Sequence, residues 1–157
     1  MMKSVGLSVA IVFILMAAAD AGDRHAGYYY PSPGAIETYK ARTITTADAD
    51  RKMRLGFIIG ITQNMLSMPY APSFVIFAKG EEAEKMIIIA LKDDYIDTLY
   101  RARALLAQLT AIARTTPLLQ ELGLADFLTF FDLVKLLGFS QITISDGDKF
   151  AHQVILE

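Results

Sequence analysis

The chain contains no cysteine. That excludes disulfides, thiolate metal sites and a cysteine nucleophile, so an exported domain of this composition must be held by its core. Histidine is scarce. His25 and His152 are the only two, and histidine is the side chain best suited to acid–base work near neutrality. No serine lies in a Gly-x-Ser-x-Gly elbow. Gly56 and Gly60 make no phosphate loop, because Gly-Lys-Ser/Thr is absent and both fall in a helical pattern. Surplus positive charge is missing too. The 15 basic and 17 acidic residues leave a net charge of −2. That balance argues against nucleic-acid binding and against electrostatic adhesion to anionic lipid.

What is present first is a leader. Met1-Met2-Lys3-Ser4 carries one positive charge, Val5 to Met16 is apolar, and Ala17-Ala18-Ala19-Asp20-Ala21 supplies small residues at cleavage spacing. The uncharged run from Val5 to Ala19 is shorter than the ~20 residues of a bilayer-crossing helix. Residues 1–21 therefore read as a signal peptide, and the expected location is periplasmic or secreted, with no membrane span after cleavage. Losing Lys3 and Asp20 leaves the net charge unchanged. Residues 22–34 follow as an extended Tyr/Pro arm ending Tyr28-Tyr29-Tyr30-Pro31-Ser32-Pro33-Gly34. Its prolines and glycine exclude regular structure, and its tyrosines call for a docking surface on the domain or on a partner.

Residues 35–157 read as a single α+β domain. Ile36 to Thr45 alternates and predicts a strand near an edge. A helix capped by Thr45 or Thr46 is expected to run to about Met68, with Phe57, Ile58, Ile61, Met65 and Met68 inward and Gly56 and Gly60 allowing close approach of a neighbour. Ser73–Lys79 and Lys85–Leu91 are apolar runs, expected as an antiparallel pair of central strands. A helix capped by Asp94 follows, with Leu99, Ala102, Leu105, Leu106, Leu109, Ile112 and Ala113 as its core face. Its other side carries Tyr100, Ala104, Ala107 and Ala111, so both sides are expected to be covered. Pro117 opens a short helix ended by Gly123. Ala125–Leu137 is a phenylalanine-rich helix stopped by Gly138. Gln141–Glu157 closes the domain as a hairpin, with a three-residue loop at Ser145-Asp146-Gly147, Gly147 left-handed and Ile142 opposite Phe150. The order β-α-β-β-α-α-α-β-β predicts two layers, an antiparallel sheet with helices packed on one face.

Candidate binding residues are few. His152 falls on the inward set of the last strand, where it reads first as a structural histidine. With Arg101 and Arg103 it is the first candidate for a pocket between sheet and helices. Asp23-Arg24-His25 would bind Cu²⁺ or Ni²⁺ only if processing ended before Asp23. Asp146-Gly147-Asp148 lacks the further acidic ligands of a calcium loop. No metal site, catalytic residue or cofactor is assigned. Arg51, Lys52 and Arg54 read as a solvated helix face. Leu128, Leu133 and Leu136 fall among polar helix positions. They mark either a contact surface or helix-against-helix burial.

Several strings occur together: Asp23-Arg24-His25-Ala26-Gly27-Tyr28-Tyr29-Tyr30-Pro31, Pro69-Tyr70-Ala71-Pro72, Phe77-Ala78-Lys79-Gly80, Tyr100-Arg101-Ala102-Arg103-Ala104-Leu105-Leu106 and Ser145-Asp146-Gly147-Asp148. In these the mature chain resembles a family of small exported bacterial proteins without an established function. Some of its members are labelled molybdopterin-guanine dinucleotide biosynthesis protein A. That label implies a cytoplasmic enzyme joining GMP from GTP to molybdopterin, built on a strand and a Leu-Ala-Gly-Gly-x-Ser-x-Arg-Met-Gly loop. The loop is absent here, Ala19-Asp20-Ala21-Gly22-Asp23-Arg24 being its nearest echo, and no site residue transfers.

The residues therefore lead to an exported, non-catalytic protein. Its expected role is an accessory or assembly factor that binds a protein partner or itself, with Tyr28, Tyr29, Tyr30, Leu128, Leu133 and Leu136 as contact candidates. The alternative is a small-ligand-binding domain or enzyme whose pocket uses His152, Arg101 and Arg103.

Overall fold

The computed structural model of the protein describes residues 30–115, 117–121 and 123–157. The expected leader, with Tyr28, Tyr29 and His25, lies outside the described residues. The described chain forms β1 (Ala35–Tyr39), α1 (Arg51–Leu66), β2 (Phe74–Lys79), β3 (Lys85–Ala90), α2 (Leu99–Arg114), α3 (Pro117–Glu121), α4 (Phe130–Leu136), β4 (Gln141–Ser145) and β5 (Ala151–Leu156). The α+β class and the order of elements are those read from the sequence.

The strands form one sheet in the order β1-β5-β4-β3-β2. The sheet is mixed rather than antiparallel throughout. Short turns make β2–β3 and β4–β5 antiparallel hairpins, whereas β3–β4 and β1–β5 are parallel. The physical reason lies between β3 and β4. Three helices intervene there, and a crossover of that length returns the chain in the direction it left. β2 is an edge strand, not a central one, because the crossover adds β4 on the other side of β3.

Pairing aligns the core in rows. Ile76, Ile88, Ile144 and His152 stand side by side and end on Ala35; Ala78, Met86, Ile142 and Val154 end on Glu37. The helices pack on this face through Ile58, Leu105, Leu106, Leu109, Phe130, Leu133 and Val134. On the reverse face the apolar cluster is Tyr30, Ile87 and Ala151, with Phe77 and Ile89, and contains no helix residue. The helices therefore do occupy one face, and Tyr30 of the arm docks on the other.

Four boundaries differ from those read in the sequence. β1 ends at Tyr39 because residues 42–46 leave the sheet to bind the last helix. Arg42 N–H donates to Asp132 Oδ1 at 2.8 Å, Thr43 Oγ1 to Asp132 O at 2.6 Å, and Thr46 N–H to Leu136 O at 3.0 Å. α1 therefore starts late, capped by Asp50, and α2 is capped by Thr98 instead of Asp94. α4 starts five residues later than expected, where Thr129 and Asp132 form a capping box. Phe127 is left 65% exposed before it.

The closing hairpin has the expected left-handed Gly147 but a longer loop, so Ile142 faces Val154 and Ile144 faces His152. Both registers put the isoleucines inward, and the loop chemistry decides between them. Asp146 Oδ1 accepts from the N–H groups of Asp148, Lys149 and Phe150. Burial opposes the charge on Asp146, but the donors from Phe150, Asp148 and Lys149 outweigh it and hold its carboxyl below the ordinary value.

Two buried charges tie the helices to the sheet. Asp132 accepts from Arg42 N–H, Thr129 N–H at 2.8 Å and Thr129 Oγ1 at 3.0 Å, and lies near Tyr39 OH. Arg54, expected on a solvated face, is buried instead. Its Nε donates to Glu82 O at 2.8 Å, and its Nη1 reaches the carbonyls of Leu137 and Gly138 at 3.5 Å. Removing the Asp132 carboxylate leaves several part-buried donors unpaired, each costing up to ~1–3 kcal/mol. Asp132→Ala is expected to lower stability by about 2–4 kcal/mol in urea unfolding, with Asp132→Asn milder. A loss within ~0.5 kcal/mol, the usual surface value, would show that the clip is unimportant.

Candidate functional site

The isoleucine row runs into His152 before ending on Ala35, and the neighbouring row ends on Glu37. The core face therefore turns polar where β5 meets the edge strand β1. His152 is 1% exposed, and neither ring nitrogen has a hydrogen-bond partner among the described residues. Its Nε2 lies 3.4 Å from Glu37 Oε2, close but without hydrogen-bond alignment. A buried polar group left unpaired costs ~1–3 kcal/mol. For stability alone, another aliphatic residue would serve this position better.

Arg103 reaches Glu37 from α2, Nη2 to Oε1 at 2.6 Å. Both side chains are about half exposed, so the pair contributes at most ~1 kcal/mol. Between α2 and β1 lies a recess of about 250 Å³, walled by Glu37, Tyr39, Arg103, Leu106, Ala107, Thr110, Thr129, Phe131, His152 and Val154. Its hydroxyls are already engaged. Thr110 Oγ1 donates to Leu106 O at 2.9 Å and accepts from Phe130 N–H at 3.2 Å. Tyr39 OH and Thr129 Oγ1 share a hydrogen bond of 3.0 Å. His152 Nε2 and Glu37 Oε2 face each other at 3.4 Å without an aligned hydrogen bond, and Arg103 has N–H groups beyond the one Glu37 takes.

Two of the three predicted pocket residues thus meet, through a third that the sequence did not single out. Glu37 was visible only as an alternating position on an edge strand, where a carboxylate ordinarily faces water. Arg101 goes elsewhere. It pairs with Asp97 at 2.9 Å and donates to the Asp94 carbonyl, on the far side of the α2 N-terminus.

Of the contact candidates, Leu128, just before α4, and Leu133 are buried in the core, and Leu136 is half-buried. The opposite side of α2 is not covered by described residues: Tyr100 is 83% exposed, and Ala104, Ala107 and Ala111 are exposed. Gly56 and Gly60 do not bring a neighbour close. A Cβ built on either meets nothing within 4 Å.

Gly60 instead borders a second space. An apolar groove of about 430 Å³ runs between α1 and α2, lined by Phe57, Gly60, Ile61, Asn64, Met65, Phe74, Leu109, Ile112, Ala113, Thr115, Pro117, Phe130 and Leu133. Ile112, predicted to be core, stands on its wall 61% exposed. Asn64 and Thr115 are the polar members of that lining, and none is charged. A third recess gathers Asp93, Asp94, Asp97, Asp146 and Asp148 with Lys92 and Lys149. No three acidic or histidine side chains among the described residues come together as metal ligands. No described helix is long and apolar enough to cross a membrane.

No protein-family model matches the chain, and neither a curated protein nor a solved structure is detectably similar to it.

The cost of burying His152 unpaired is directly measurable. His152→Leu is expected to raise stability by about 1 kcal/mol in urea unfolding, since it removes an unpaired polar group from an isoleucine row. A loss of similar size would mean that His152 is held by an interaction absent from this arrangement.

Proposed function

We propose that this protein is an exported binding protein without catalytic machinery, an accessory or assembly factor that takes an apolar helix of a partner protein. The groove between α1 and α2 carries this reading. Its size is that of a binding site. Its uncharged lining suits the apolar face of a helix laid between two others. Met65 supplies an adaptable wall, and the exposed Ile112 offers apolar surface beyond the floor. Export rests on the leader at residues 1–21.

The two glycines provide a matched pair of variants. Both are exposed positions of α1 with open space at Cβ, but only Gly60 borders the groove. Gly60→Leu and Gly56→Leu should each hold or raise stability, since glycine costs a helix ~1 kcal/mol. In crosslinked pull-downs from periplasm and membrane, one stoichiometric partner is expected with the parent protein and with Gly56→Leu. It should be lost with Gly60→Leu. Failure to find a stoichiometric partner, or capture unaffected by filling the groove, contradicts the proposal.

A further inference from the structure

We propose that the recess between α2 and β1 binds a small neutral hydroxylated molecule, a polyol or a single sugar ring, through His152, Glu37 and Arg103. This site lies on the flank of α2 opposite the groove and does not depend on it: Arg103, Leu106 and Ala107 face the recess, Leu109 and Ile112 the groove.

The first observation is the unpaired histidine. Buried polar groups in folded proteins are almost always hydrogen-bonded, and exceptions call for an explanation. His152 is buried, unpaired at both nitrogens and part of the wall of a recess large enough for several heavy atoms. It also continues a row in which the three preceding strands each supply isoleucine. The fold could be completed there without a polar group, so the imidazole answers to something other than packing.

The second observation is the charge balance. Glu37 and Arg103 are paired and sum to zero. The recess therefore presents no net charge from this pair to select an anion or a cation. It presents hydrogen-bonding groups of both kinds instead. Arg103 keeps free donors, Glu37 Oε2 is an acceptor, and each ring nitrogen of His152 donates or accepts according to whether it carries a proton. A carboxylate can only accept and would be repelled by Glu37. An ammonium can only donate and would be repelled by Arg103. A hydroxyl donates and accepts, so a compound with neighbouring hydroxyls satisfies both sides at once. Leu106, Phe131 and Val154 complete the wall with apolar surface, which suits the C–H face of a small ring.

The scarcity of histidine makes the test direct. The chain has two imidazoles, so their nitrogen-detected signals can be followed separately in the purified protein. D-glucose, myo-inositol, sodium acetate, methylammonium chloride and glycine would each be titrated. The expected result is a saturable shift of the His152 signals with glucose or inositol and none with the other three. Ala107→Phe, which fills the recess from an exposed position, should abolish the shift. Glu37→Gln, a milder change on the half-exposed carboxylate, should weaken it. Saturation by acetate, methylammonium or glycine would overturn the proposal. So would the absence of any saturable shift, or a shift that survives Ala107→Phe in a folded variant.

Discussion

The structure depends on holding a short helix at both ends with buried charged side chains. α4 has seven residues, too few to persist by its own backbone hydrogen bonds. At its N-terminus the Asp132 carboxylate gathers Thr129 N–H, the Thr129 hydroxyl and Arg42 N–H from the segment after β1. At its C-terminus Arg54, reaching from α1, takes up the carbonyls of Leu137 and Gly138. Neither charge is neutralised by the other; each is satisfied largely by backbone groups that would otherwise be orphaned where a helix ends. Gly138 is required there on two counts. Its φ is +86°, and a Cβ would stand 2.5 Å from Arg54 Nη1.

With α4 fixed, α2 has one place to lie. Thr110 of α2 accepts from Phe130 N–H, while Phe130 and Leu133 enter the shared core. α2 then acts as a wedge with a gap on each flank. Consecutive residues of α4 face the two gaps, Phe130 toward the apolar groove and Phe131 toward the polar recess. The chemical difference between the gaps comes from what lies beneath. The groove is floored by Phe74 and the apolar core, and the recess lies over the β5–β1 strand pair, where the inward rows carry His152 and Glu37.

Much of the fold was legible because periodicity and punctuation agree. The β2–β3 and β4–β5 hairpins, the stops at Gly123 and Gly138 and the left-handed Gly147 follow from local rules that tertiary packing did not override. Two of the misplacements come from side chains that bond far away in sequence. Arg42 and Thr43 read as strand because their alternation is intact, but they bind Asp132 about 90 residues on. Arg54 reads as solvated because it follows Arg51 and Lys52, yet its partners are on the β2–β3 turn and the end of α4. The parallel pairings were invisible for a similar reason, since adjacency in sequence suggests hairpins alone. Of the site, His152 and Arg103 could be named from scarcity and position. Glu37 could not, because only the β1–β5 register brings it beside them.

Two buried polar clips make a seven-residue helix as firm as the sheet it covers. Native-state hydrogen exchange of the α4 amides tests this most directly, because it separates local opening from global unfolding. Leu133, Val134 and Leu137 N–H should exchange only through global unfolding, with the same free energy as the amides of β3 and β4. Exchange of these amides through a local opening well below the global value, while the sheet stays protected, would contradict the account.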